Sequence, residues 1–140
     1  MSSESIVYGC IKELILPDDN TLRRESNRRA LNALPSVEQW PFLYKEMFAA
    51  PEHGFTLDGI QTEVTHFGAS YFGVEYEWRG WIDSFEALLE NMYWVSAVVH
   101  LETDLNGLHT FTWEANNETH TPGQPLSQTR CEWSRESAVF

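Results

Sequence analysis

The chain has 140 residues, 42% hydrophobic and 14% aromatic, with a net charge of −12. That length suits one domain with a real core, and no apolar run approaches the roughly 18 residues of a membrane span. The N-terminal residues show no basic segment followed by an apolar one, so no export signal is expected.

The charge is uneven. Residues 1–45 hold six basic and six acidic groups, whereas residues 46–140 hold three basic and fifteen acidic groups. The later part therefore carries the whole surplus. Solubility alone accounts for such a balance; the functional reading is a surface that repels nucleic acid and attracts a basic partner.

Ser5–Leu16 reads as a first strand, with Val7, Gly9 and Ile11 on one face and Ile6, Tyr8 and Cys10 on the other. Both faces start apolar, so the strand is expected to be covered on both sides. Cys10 is then core packing. Cys131 lies far away in sequence, and both are read as free thiols of a cytoplasmic protein. Pro17-Asp18-Asp19-Asn20 breaks the strand and offers helix caps.

Thr21–Leu34 reads as a helix with a thin stripe of Leu22, Ser26, Ala30 and Leu34. Its arginines, Arg23, Arg24, Arg28 and Arg29, could form a phosphate-binding face. Glu25 and Asn27 dilute them and no aromatic is interleaved for base stacking, which favours a solvated flank. Ser36-Val37-Glu38-Gln39 has capping-box spacing, yet Pro41 limits a helix there. A turn over Ser36–Trp40 and a short helix over Pro41–Phe48 are expected. Pro51, Gly54 and Gly59 mark a loop.

Ile60–Phe67 alternates as a half-exposed strand. Gly68 and Gly73 bracket Ala69–Phe72, a turn or bulged continuation. Trp78, Trp81, Ile82, Phe85, Leu88, Leu89 and Met92 then mark one face of a helix over about four turns. Tyr93–Leu101, β-branched and aromatic, follows as a buried strand. Asn106-Gly107 signals a hairpin into Leu108–Trp113. Residues 116–140 read as an irregular C-terminal arm, with a short edge strand over Thr129–Ser134. These elements make a single α+β domain over residues 1–140: a mainly antiparallel sheet with helices packed on one face.

Chemical motifs are sparse. There is no Gly-x-Gly-x-x-Gly, Gly-Lys-Ser/Thr, Cys-x-x-Cys or His-Glu-x-x-His. His100, Glu102 and Asp104 alternate near His109, but the turn takes Asp104 off the strand face, and no metal is expected. His66 and Ser70 stand close in sequence without a nucleophile elbow, so a structural His66 is favoured. No catalytic residue and no cofactor is assigned. What remains is a row of acids on and before the central helix: Glu75, Glu77, Asp83, Glu86 and Glu90. Such a row is a solvated flank or a surface offered to a cationic partner.

Trp40-Pro41-Phe42-Leu43, Met47-Phe48, His66-Phe67-Gly68-Ala69-Ser70 and Trp81-Ile82-Asp83-Ser84-Phe85-Glu86-Ala87-Leu88-Leu89, followed by Tyr93-Trp94, resemble the small acidic immunity proteins of bacterial polymorphic-toxin systems. The resemblance spans residues 40–115. It implies a cytosolic, non-enzymatic inhibitor that binds and occludes a toxin domain, and it carries over no binding residue. The expected function is accordingly an immunity-type protein that neutralises a cognate basic toxin domain. Its expected contacts are Glu75, Glu77, Asp83, Glu86 and Glu90, with no nucleic acid or membrane partner. Two alternatives stand beside it. One is a small hydrolase or ligand-binding protein with a pocket near His66, Ser70 and His100. The other is an acidic inhibitor that mimics nucleic acid. Neither the toxin's activity nor the oligomeric state can be read from these residues.

Overall fold

The first strand, β1 (Glu4–Ile15), is the axis of the sheet. It pairs antiparallel along its whole length with β3 (Gln61–Phe72) and, on its other side, with β4 (Ser96–Thr103). The remaining strands are β2 (Phe48–Ala49), β5 (Gly107–Glu114) and β6 (Arg130–Glu136). Together they form one antiparallel sheet in the order β2-β3-β1-β4-β5-β6. The helices are α1 (Asn20–Asn32) and α2 (Trp78–Glu90). This computed structural model describes residues 4–15, 20–37, 42–50, 61–115, 119–126 and 130–136, with the backbone alone at 15, 20, 21, 61 and 130–136. Pro17–Asp19, most of the Ser36–Gln39 capping box, the loop residues 51–60 and the Cys131 side chain lie outside the described residues.

The expected α+β architecture is found, with both helices over one face. Ser5, Val7, Ile11 and Glu13 of β1 are buried on that face. The register partners of Ser5, Val7, Gly9 and Ile11, namely Thr65, Phe67 and Tyr71 of β3 and Ala97, Val99, Leu101 and Thr103 of β4, are buried as well. The alternate residues of β1 face outward: Glu4, Ile6 and Lys12 are exposed, and Tyr8 and Cys10 are half-buried. The expectation that β1 is covered on both sides is therefore corrected, and Cys10 is not core packing. Antiparallel sheets commonly keep one face open to water.

On the covered face α2 packs as its apolar spacing requires. Trp81, Phe85, Leu88 and Leu89 are buried, Met92 follows them into the core, and Trp78 and Ile82 are half-buried. Rings fill the layer between helix and sheet. Trp81 stacks on Trp78 at 4.9 Å and on Phe85 at 5.3 Å, and Phe85 meets Phe67 at 5.4 Å and Trp113 at 5.2 Å. Each fully buried ring contributes roughly 1.5–3 kcal/mol by burial alone. The Trp81 indole N–H donates to the Tyr71 hydroxyl at 3.1 Å, and that hydroxyl donates in turn to the Phe42 carbonyl. Burial pushes the Tyr71 phenol up to about 12.

Several boundaries differ from the sequence reading. The expected turn over Ala69–Phe72 is strand: β3 continues unbulged through Gly68, because Val7 and Ser5 offer ladder partners to Ala69 and Tyr71. The expected short helix over Pro41–Phe48 is, in its described part, one 3-10 turn at Lys45–Met47 leading into β2. The expected strand from Tyr93 starts at Ser96; Trp94 instead makes an isolated bridge with His120. In the C-terminal arm, Arg130–Glu136 forms the edge strand β6 beside β5. The hairpin is where Asn106-Gly107 places it. Thr103 pairs with Gly107 across three turn residues, and Gly107 takes φ 76°, a left-handed conformation that glycine adopts without strain.

Gly9 lies under the ring layer, opposite Phe67 and Val99. A Cβ there would stand 2.0 Å from the Val98 carbonyl oxygen and 2.9 Å from the Phe67 ring. At Gly68, on the open face, it would meet Tyr8 Cβ at an ordinary 3.6 Å. Gly9→Ala is expected to cost about 3 kcal/mol through overpacking, and Gly68→Ala less than about 0.5 kcal/mol. Urea unfolding followed by tryptophan fluorescence measures both. Equal losses would mean that the close approach at Gly9 is not what the layer requires.

Candidate functional site

The five acids expected to meet a partner have different surroundings. Asp83, Glu86 and Glu90 recur at helical spacing and lie along one flank of α2, away from its buried stripe. Glu77 and Glu90 are exposed. Asp83 is exposed too, 3.6 Å from the Arg79 guanidinium. Glu86 is half-buried and accepts a hydrogen bond from the Trp113 indole N–H at 2.9 Å. Glu75 accepts one from the buried Ser5 hydroxyl. Two members of the row thus fasten α2 and the turn before it to the sheet, and three face solvent.

His66, Ser70 and His100 share the open face of the sheet without converging. β1 stands between His100 and the other two, which lie four residues apart along β3: His66 is opposite Cys10, Ser70 opposite Ile6, and His100 opposite Tyr8. Strands about 4.8 Å apart put side chains of β3 and β4 roughly 10 Å from each other. The Ser70 hydroxyl donates to Glu4 at 2.8 Å, not to an imidazole. His100 hydrogen-bonds Thr110 at 2.9 Å, and its ring lies 5.0 Å from that of Tyr8. A base within reach of a nucleophile is what a hydrolase needs, and this face does not provide it. His109 pairs with Leu101 in the register and so belongs to the covered face, opposite to His100 and Glu102; Asp104 is in the turn. Among the described residues no three His, Cys, Asp or Glu side chains are grouped to hold a metal.

The open face has its own order. Its middle carries Tyr8, Cys10, Val98, His100, Thr110 and Thr112, all half-buried and none acidic. Charge sits at the strand ends: Glu4 and Glu102 at one end, Lys12 and Glu114 at the other. Burial, and then the Glu102 carboxylate, push the Tyr8 phenol upward. A shallow hollow of about 170 Å³ is bordered by Cys10, Lys12, Ser96, Val98, Thr112 and Glu114. Two of the exposed large apolar side chains, Ile6 at 40% and Phe72 at 77%, also lie on this face.

A second cluster was hidden in the sequence. α1 turns Asn27, Leu31 and the half-buried Arg23 and Arg24 toward the sheet, while Leu22 is exposed. The expected stripe holds at Ser26, Ala30 and Leu34 but is corrected at Leu22, and the solvated arginine flank is corrected for Arg23 and Arg24. Arg24 Nε lies 2.9 Å from Glu63, and Arg23 lies 3.6 Å from Glu13. Asn27 fixes the helix by bonding both the N–H and the carbonyl of Tyr93. The cluster borders a cavity of about 20 Å³, room for water and nothing larger. Glu13 Oε2, Arg23 Nη1 and Arg24 Nη2 are buried without a hydrogen-bond partner. The one hint in the sequence was an acid, Glu13, in phase with Val7 and Ile11.

No family model matches the chain, no curated protein matches it, and no solved structure matches it. Among the described residues no helix is long and apolar enough to cross a membrane.

Burial raises the Glu13 carboxyl from its ordinary 4.5 to about 7, outweighing the opposing pull of Arg23 and the Leu14 N–H. A raised folded-state pKa means that the unfolded chain releases this proton first. The Glu13 contribution is complete below pH 4.5 and is lost as pH rises to about 7. Glu13→Gln keeps the shape and removes the titration. It is expected to raise the urea midpoint at pH 8 and to leave it nearly unchanged near pH 4.5. A loss of stability at pH 8 would show that the contact with Arg23 outweighs desolvation.

Proposed function

We propose that this chain is a non-enzymatic, cytoplasmic binding protein of the immunity type, neutralising a cognate basic toxin domain by occupying it. The observation that carries the reading is where the cations go. Arg23 and Arg24 belong to the only part of the sequence with balanced charge. They turn inward with Glu13 and Glu63, which leaves the balance of the remaining groups at −12 and only seven Lys and Arg to set among nineteen acids. Glu77, Glu90 and Glu102 are exposed in the part that carries the whole surplus of −12. A field of that sign speeds encounter with a basic partner and disfavours nucleic acid. The resemblance of residues 40–115 to immunity proteins points the same way. The hydrolase alternative gains nothing from His66, Ser70 and His100, which hydrogen-bond to other partners or stand apart.

The test is direct. The purified product of the adjacent reading frame is titrated with this protein by calorimetry. A nanomolar complex that weakens about tenfold between roughly 0.05 M and 0.3 M NaCl is expected. Failure to form any complex at the lower salt would overturn the proposal.

A further inference from the structure

Resting on that reading, we infer that the partner docks on the open sheet face, not on the α2 flank, and that its anchor is an arginine or lysine seated between Glu4 and Glu102. Ile6 lies opposite Ser70 on β3 and opposite Glu102 on β4, and Phe72 lies opposite Glu4. Ile6, Phe72, Glu4 and Glu102 are exposed and project from the same face. The result is an aliphatic and an aromatic surface flanked by two carboxylates. A long cationic side chain matches each part of it. Its methylene stem covers Ile6, its charge lies near the Phe72 ring, and its head group reaches the acids. Arginine fits best, since its planar fork meets carboxylates and stacks on rings.

The rest of the face agrees with a docking role. Among the described side chains of β1, β4 and β5 the middle is neutral and the charges lie at the strand ends, the arrangement of an interface with a desolvated centre and a polar rim. The five longer strands, spaced about 4.8 Å apart, with the eight-residue β4 and β5 rising about 3.4 Å per residue, span roughly 24 by 27 Å. That approaches the ~800 Å² that a partner contributes to a stable interface. A second copy is a poor occupant, because it would bring its own Glu4 and Glu102 end onto an equally acidic molecule. The α2 side also exposes an aromatic, Tyr76, but its acids are more fully engaged. Glu75 and Glu86 accept hydrogen bonds from Ser5 and Trp113 and Asp83 faces Arg79, whereas among the described residues at the sheet end only Glu4 has such a partner, Ser70.

Three variants of the full chain are compared against the same neighbouring gene product: Ile6→Ala/Phe72→Ala, Glu4→Gln/Glu102→Gln, and Glu77→Gln/Glu90→Gln. Every altered side chain is exposed, and unchanged urea midpoints verify folding. The apolar pair is expected to weaken binding by about fiftyfold or more. The first acid pair should weaken it at least about tenfold and flatten its salt dependence. The flank pair should change it less than about threefold, mainly through the association rate. Sheet-face variants that bind within about threefold of wild type, while the flank variant loses about tenfold, would overturn the inference and leave the binding function standing. A wild-type chain that forms no complex removes the function itself, and the anchor with it.

Discussion

The close approach of Phe67 to Gly9 sets the spacing between α2 and the sheet. β1 is the strand that both β3 and β4 pair with, so a side chain at its midpoint would push against both neighbours. With none there, the Phe67 ring settles over the backbone and presents itself to Phe85 and Trp81. The stack then extends through Trp78 to Phe111 and through Phe85 to Trp113. A layer of interlocked rings is close-packed and resists local change. It fixes the roll of α2 and decides which of its acids reach solvent: Glu86 is drawn toward Trp113, whereas Asp83 and Glu90 are left outside.

Periodicity made α2 legible, because its apolar residues keep one helical phase from Trp78 to Met92. The Asn106-Gly107 turn was legible for a separate reason, the need for positive φ. The coverage of β1 was not. Ile6, Tyr8 and Cys10 are as apolar as the residues on the other face, and hydropathy cannot say which face a helix will take. In α1 the phase of Ser26, Ala30 and Leu34 was legible, but the inward turn of Arg23 and Arg24 was not, since their partners Glu13 and Glu63 become neighbours only through the register of β1 with β3. The extent of β3 was hidden by Gly68. A glycine marks a turn as readily as a strand site, and only the continuous partner strand decides between them.

The acid row before and along α2 shows the same limit at the level of function. Spacing identified a flank, and Asp83, Glu86 and Glu90 do share one. Spacing could not reveal that Trp113 and Ser5 would each take one of the five acids for an internal hydrogen bond. The open sheet face left no recognisable sequence pattern either, because its members come from β1, β3, β4 and β5 and meet only through the registers.

The two sides of the sheet are linked through its rigidity. Affinity is lost when a surface must be ordered on binding. Here the surface is a run of ladder-paired strands backed by the ring layer, and Asn27 and the arginine–carboxylate seam hold α1 over the same back face. The seam is costly where Glu13 is buried beyond hydrogen-bond reach of Arg23. It withdraws two guanidinium groups together with two carboxyl groups, so the exterior keeps its surplus of −12 with fewer cations among the acids. A pre-ordered face with an acidic end suits recognition of a basic surface, and its order traces to the residues buried behind it.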